Sequence, residues 1–265
     1  MNVMPSLFIS HGGPNVVLDD TPARDYLKTL AQQLPQPKAI VIVSAHFETD
    51  GVSVVADPNP EMIYDFRGFP QELYEMVYPA PGEPALADRV VGMLAAAGLE
   101  PTKLEKRGYD HGTWTPLSLI YPDAEIPVVQ VSVDPNRDAA WHYALGKALA
   151  PLREEGILLI GSGHITHNLR ALFPVMRGTA QPDATSINQV NSFVGWFADR
   201  FAEGDREAIL NWREEAPFVA ENHPTDEHLM PIFFAYGAAG DTPRIERAHA
   251  SRQYGFFAWD SYLFH

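Results

Sequence analysis

The sequence predicts an α/β fold: a single-domain sandwich over residues 1–265, with a central, mostly parallel or mixed sheet flanked by helices. Three observations lead there. Short apolar, β-branched runs end in small or polar residues; helical patterns alternate with them; and no repeat, low-complexity tract or Gly/Ser linker divides the chain. With 265 residues, 46% hydrophobic and 20% charged, the chain can bury a full core.

The runs are Ser6–Ser10, Ala39–Ser44, Ile126–Val133 and Gly156–Ile160. They are apolar throughout rather than alternating, the pattern of strands covered on both faces. The plainest helix spans Ala85–Ala97, opened by Pro84 and closed by Gly98, with Leu86, Val90, Met93 and Leu94 on one stripe. Two more are expected over Ala139–Leu152 and Ser186–Phe201. Thr225 reads as the N-cap of a further helix, with Asp226 and Glu227 in its first turn and His228 in the first or second.

Nineteen Lys+Arg against thirty-four Asp+Glu give a formal charge of −15, which repels nucleic acid and anionic membrane. There is no cysteine, so thiolate ligands and disulfides are excluded, and any metal must be held by imidazole and oxygen. No apolar stretch approaches the about 18 residues of a membrane span, and the first, Met4–Ser10, lacks the basic flank of a signal peptide. A cytoplasmic protein is expected. A homo-oligomer is compatible with the sequence.

Ten histidines are spread along the chain, several of them at strand ends. His11 follows the first run in His11-Gly12-Gly13-Pro14, and His46 follows the second in Ser44-Ala45-His46. In α/β sheets the carboxyl ends of strands form the ligand crevice, so these imidazoles can converge although they stand 35 positions apart. The glycines after His11 would let backbone approach a ligand. The fourth run leads into a glycine turn, Gly161-Ser162-Gly163, and then His164 and His167, read as one functional and one bystander histidine. Asp110-His111-Gly112 precedes an apolar segment, where Asp110 can simply cap a helix. His142, His249 and His265 read as surface or packing residues.

Taken in order, His11-Gly12-Gly13-Pro14, Ser44-Ala45-His46, Asp65-Phe66-Arg67-Gly68-Phe69-Pro70, Tyr78-Pro79-Ala80-Pro81-Gly82, Asp110-His111-Gly112, Gly161-Ser162-Gly163 through His167-Asn168, and Pro224-Thr225-Asp226-Glu227-His228 resemble the DOPA 4,5-dioxygenase-like branch of the class III extradiol ring-cleaving dioxygenases. The resemblance spans nearly the whole chain. It implies a mononuclear non-haem Fe(II) held by His11, His46 and His228, with Zn(II) as the ion found in purified or crystallised protein. It also implies His167 as acid/base, His111 as a second imidazole for substrate or oxygen, and a small aromatic diol and O2 as partners. Arg67, His164 and His223 depart from the branch pattern, which bears on the substrate pocket more than on the metal. Glu227 stays a rival to His228, because the wider superfamily uses two histidines and a carboxylate.

Such chemistry needs a metal with about three protein ligands, leaving room for both diol oxygens and O2. Gly12, Gly13, Phe66 and Tyr78 are candidate substrate contacts. The aromatics Tyr64, Phe66, Phe69, Tyr74 and Tyr78 form either a wall against the substrate ring or a loop packed on itself. Arg67, Arg170 and Arg252 are candidate anchors for a substrate carboxylate. Two other readings stay open at this point: a zinc hydrolase, and a non-enzymatic binding protein on the same fold.

Overall fold

The computed structural model describes residues 3–265. Ten strands are described: β1 Ser6–Ser10, β2 Ala39–Glu48, β3 Ser53–Val55, β4 Thr102–Leu104, β5 Val128–Val133, β6 Ile157–Gly163, β7 Ile245–His249, β8 Arg252–Gln253, β9 Phe257–Ala258 and β10 Ser261–Phe264. The helices are α1 Pro22–Leu30, α2 Glu72–Glu75, α3 Pro84–Ala96, α4 His111–Ile120, α5 Ala139–Leu149, α6 Leu169–Met176, α7 Ala184–Glu203, α8 Arg206–Leu210, α9 Trp212–Glu215, α10 Val219–Asn222 and α11 Met230–Ala238.

Eight strands make one mixed sheet in the order β4-β3-β5-β2-β6-β1-β10-β7. Its centre, β5-β2-β6-β1, is parallel, while β10 and β7 add antiparallel at one side and β3 meets β5 antiparallel at the other. The four apolar runs of the sequence are these central strands. They are covered on one face by α5 and the wholly apolar α11, and on the other by α4, which packs on α1. Burial on both faces explains why their residues do not alternate. Among the described residues, no helix is long and apolar enough to cross a membrane.

Four local expectations are corrected. The strand after Ala39 does not stop at Ser44 but continues to Glu48, so His46 lies inside β2, where the register against β5 shifts between Ser44 and Glu48. Such an irregularity re-aims side chains at a sheet edge. Gly161-Ser162-Gly163 is strand rather than turn. A Cβ on Gly163 would collide with the His228 carbonyl, and one on Gly161 with the Pro231 carbonyl. The glycines therefore let the approach to α11 lie directly on β6.

Thr225 is not a helix cap. Its hydroxyl donates to Glu227 Oε1 at 3.0 Å, and residues 226–229 form a turn in which the Asp226 carbonyl accepts from the Leu229 and Met230 amides. The helix starts at Met230 because Pro231, which has no N–H to lose, fits only its first turn. The helix expected to Leu152 ends at Leu149 and tightens into a 3-10 segment over Ala150–Glu155 that contains Pro151.

Candidate metal centre

His11 follows β1, His46 sits near the end of β2, and His228 occupies the turn before α11, held by its carbonyl against the His164 amide at 2.8 Å. All three side chains meet at the carboxyl edge of the parallel strands. His46 Nε2 lies 3.1 Å from His11 Nε2 and 3.1 Å from His228 Nε2. His11 and His228 are 1% and 4% exposed, so the meeting point is withdrawn from solvent.

The protons of these imidazoles are directed elsewhere. The Ser162 hydroxyl spends its proton on the Gly112 carbonyl, so its oxygen accepts from His11 Nδ1 at 3.0 Å. Glu227 Oε1 accepts from His228 Nδ1 at 2.9 Å, and Asp65 Oδ2 lies 3.4 Å from His46 Nδ1. These contacts place the ring protons of His11 and His228 on Nδ1 and leave their Nε2 lone pairs bare, and Asp65 beside His46 Nδ1 favours the same tautomer there. Three lone pairs crowded at this spacing repel unless a cation lies among them, and an ion about 2.0–2.1 Å from each nitrogen spans the gap. The donor set fits one divalent metal. Three neutral ligands leave its charge uncancelled and part of its coordination sphere free.

Burial keeps the ring nitrogens unprotonated. It pushes His46 down to about 4, with the neighbouring His111 adding to the effect. Burial, followed by the surrounding imidazoles, also holds His11, His167 and His228 well below the ordinary histidine value. For Asp65, burial raises the carboxyl, but His111 and then His46 more than offset it and hold the group at about 2.

The wider frame is a second set of polar contacts. Ser44 donates to Asp110 Oδ1 at 2.6 Å, and Arg107 donates to Asp110 Oδ2 at 2.7 Å and to the His46 carbonyl at 3.3 Å. Asp110 also caps α4 through the Thr113 amide, which sets His111 at the first position of that helix. His111 Nδ1 is 2.9 Å from Asp65 Oδ1 but poorly aligned with it, so this buried nitrogen lacks a well-formed hydrogen bond. His167 stacks on His228, and its Nδ1 is 3.7 Å from Glu227 Oε1. Glu227 thus contacts the outer nitrogen of His228 rather than the point where the three Nε2 atoms meet.

A pocket of about 270 Å³ opens onto the triad. Gly12, Gly13, Phe66, Phe69, Arg67, His111, His164 and His167 line it together with the apolar side of α6. Tyr78 does not: it is buried behind the wall, and its hydroxyl donates to the Tyr121 carbonyl at 3.2 Å. Both readings of the aromatic segment apply in part. Phe66 and Phe69 face the pocket, while Tyr64 and Tyr74 bond to the carbonyls of Met76 and Phe66 and pack the loop on itself. Gly12 is required less for a ligand than for its φ of +64° and for the Trp259 ring lying where a Cβ would be. His223 is a packing residue against Phe193 and Trp212 that donates to the Ile165 carbonyl at 2.9 Å.

Two sets of observations now coincide: a parallel-centred α/β sheet, and three neutral imidazoles converging at its carboxyl edge beside an aromatic-walled pocket. A family model described as the catalytic LigB subunit of aromatic ring-opening dioxygenase matches residues 5–264. The chain belongs to this LigB family and is an extradiol ring-cleaving dioxygenase. It is 42% identical over 268 residues to a 4,5-DOPA dioxygenase extradiol of Beta vulgaris, covering 99% of this chain and 97% of that protein. A protein of the same name from Escherichia coli K12 is 43% identical over 238 residues, covering 89% and 85%. The crystal structure of an uncharacterised protein from Escherichia coli K12 superposes with a TM-score of 0.78 at 35% identity, over 99% of this chain and 100% of that one.

Proposed function

We propose that His11, His46 and His228 hold one Fe(II) ion and that the chain opens the ring of a substituted catechol with O2. The observation that carries this reading is the convergence of three Nε2 atoms, with the Nδ1 protons of His11 and His228 committed to Ser162 and Glu227 and the Nδ1 of His46 facing Asp65 at 3.4 Å. When bound, the metal would take both catechol oxygens and O2 together, lower the catechol pKa and relay electron density from ring to oxygen. The same imidazoles accept Zn(II) readily, so zinc is expected in protein isolated without care for iron.

The chain's own groups supply the proton chemistry. His167 is the acid/base: it lines the pocket, burial keeps it neutral near pH 7, and stacking on His228 fixes its ring. As a neutral imidazole it can take a catechol proton and later return it. His111, rooted at the start of α4, offers its imidazole to a substrate or dioxygen oxygen. Phe66 and Phe69 give the ring an apolar wall and exclude water. The names of the relatives make DOPA the first catechol to try.

Anaerobic loading with Fe(II), then oxygen-electrode and visible-absorbance assays over a catechol panel, tests the reading, with Zn(II)-loaded protein as control. Oxygen uptake and a yellow ring-opened product in the iron sample alone are expected. Full iron occupancy without uptake on any catechol would reject it.

A further inference from the structure

We infer that Arg67 reads a carboxylate on the substrate's side chain, so that the preferred substrates are catechols with an anionic side chain and an ammonium group contributes nothing. This deepens the catechol-cleaving reading above and rests on it.

Of the three arginines that could anchor a carboxylate, one remains available. Arg252 is bound to Asp260 at 3.0 Å and to Asn191 at 3.2 Å. Arg170 lies outside the pocket wall. Arg67 is exposed at its surface side but lines the pocket, and among the described residues it makes no hydrogen bond or ion pair. It is also the only Lys or Arg of the pocket wall. A guanidinium presents a fork that matches a carboxylate with two parallel hydrogen bonds.

The rest of the wall offers an ammonium no uncommitted carboxylate. Asp65 is the only acidic residue lining the pocket, and its two oxygens already face His111 and His46. Asp19, behind the wall, accepts from the side-chain amides of Asn15 and Gln253. Opposite these polar groups, α6 presents Leu169, Leu172, Phe173 and Met176, an apolar stripe one helix face wide. A methylene spacer is at home there. A cation against that stripe loses hydration without gaining an ion pair.

The test uses iron-loaded protein and four catechols that differ only in the side chain: 3-(3,4-dihydroxyphenyl)propionate, L-DOPA, dopamine and 4-ethylcatechol. kcat/KM and the anaerobic calorimetric Kd are measured for wild type, Arg67→Gln and Arg67→Lys. Expected in wild type are both carboxylates ahead of 4-ethylcatechol by about tenfold or more, the propionate at least equal to L-DOPA, and dopamine no better than 4-ethylcatechol. In Arg67→Gln the carboxylate-to-ethylcatechol ratio should fall by about tenfold in both measurements, with partial recovery in Arg67→Lys. Turnover with the ratio unmoved in Arg67→Gln, or with dopamine or L-DOPA ahead of the propionate, overturns this inference alone. No binding or turnover of any of the four would instead overturn the catechol reading, and this inference with it.

Discussion

The imidazole of His167 lies flat on that of His228, with ring centroids 3.3 Å apart and planes 11° from parallel. One ring of this pair points its Nε2 at His46, and the other lines the pocket, so the proposed acid/base is packed directly on a proposed metal ligand. The contact holds the His167 ring in place without using either of its nitrogens.

Replacing that acid/base should therefore separate chemistry from metal binding. His167→Gln is expected to lower kcat by about 10²–10⁴-fold while metal content stays at the wild-type level, read by elemental analysis beside oxygen uptake. Loss of metal together with activity would make His167 a ligand.

Glu227 orients His228 through the 2.9 Å contact to Nδ1. Removing such a partner typically weakens metal affinity by about 10–100-fold. Glu227→Ala should show that loss in a competitive chelator titration and keep a reduced metal-dependent activity. An unchanged affinity would mean that the carboxylate does not set the tautomer.

Gly163 is where β6 admits the His228 carbonyl. Gly163→Ala forces that turn outward, a form of overpacking that costs about 1–3 kcal/mol and shifts a ligand. Denaturant melts and metal analysis should both register it. A stable variant with full metal would show that the turn is more compliant than its contacts suggest.

Stability should also fall in acid for a reason remote from the metal. His142 is buried, donates from Nδ1 to the Asp138 carbonyl at 2.8 Å and accepts at Nε2 from the Asp134 amide at 3.3 Å. A second ring proton would face that amide, and burial already pushes the group down to about 4. Its folded value lies below the unfolded one near 6.5, so its contribution is complete above about pH 6.5 and is lost as pH falls toward 4. Between pH 7 and 5 this amounts to about 2 kcal/mol. Urea midpoints for wild type and His142→Gln should show a shallower pH dependence in the variant by about that amount; parallel curves would argue that His142 does not titrate on unfolding.

Much of this was legible in the chain. Ser6–Ser10 and Ala39–Ser44 announce central strands because residues covered on both faces need not alternate, and His11 and His46 then fall at the sheet's ligand-facing edge. The ordered motifs identified the family. Less legible were contacts made between residues far apart in sequence. Ser162 reaches His11 across 151 positions and Ser44 reaches Asp110 across 66, with no local spacing to betray either. Arg107 stood in no motif, yet it ties Asp110, Gln130 and the His46 carbonyl together. A motif position says nothing about which side of the loop faces the pocket, so the sequence suggests Tyr78 as a substrate contact although it packs behind the wall. The acidic residues after Thr225 imitated a helix start; one of them is instead the partner of His228.

The most direct test of the site is metal stoichiometry across single alanine variants at His11, His46, His228, His111 and His167, paired with X-ray absorption on the loaded wild type. One metal per chain with three imidazole nitrogens is expected. Occupancy should be lost in the His11, His46 and His228 variants and kept in the His111 and His167 variants. The sets His46–Asp65–His111 and His167–Glu227–His228 also cluster closely enough to hold an ion. Metal retained without His11 but lost without His111 or His167 would move the centre to one of them and contradict the assignment.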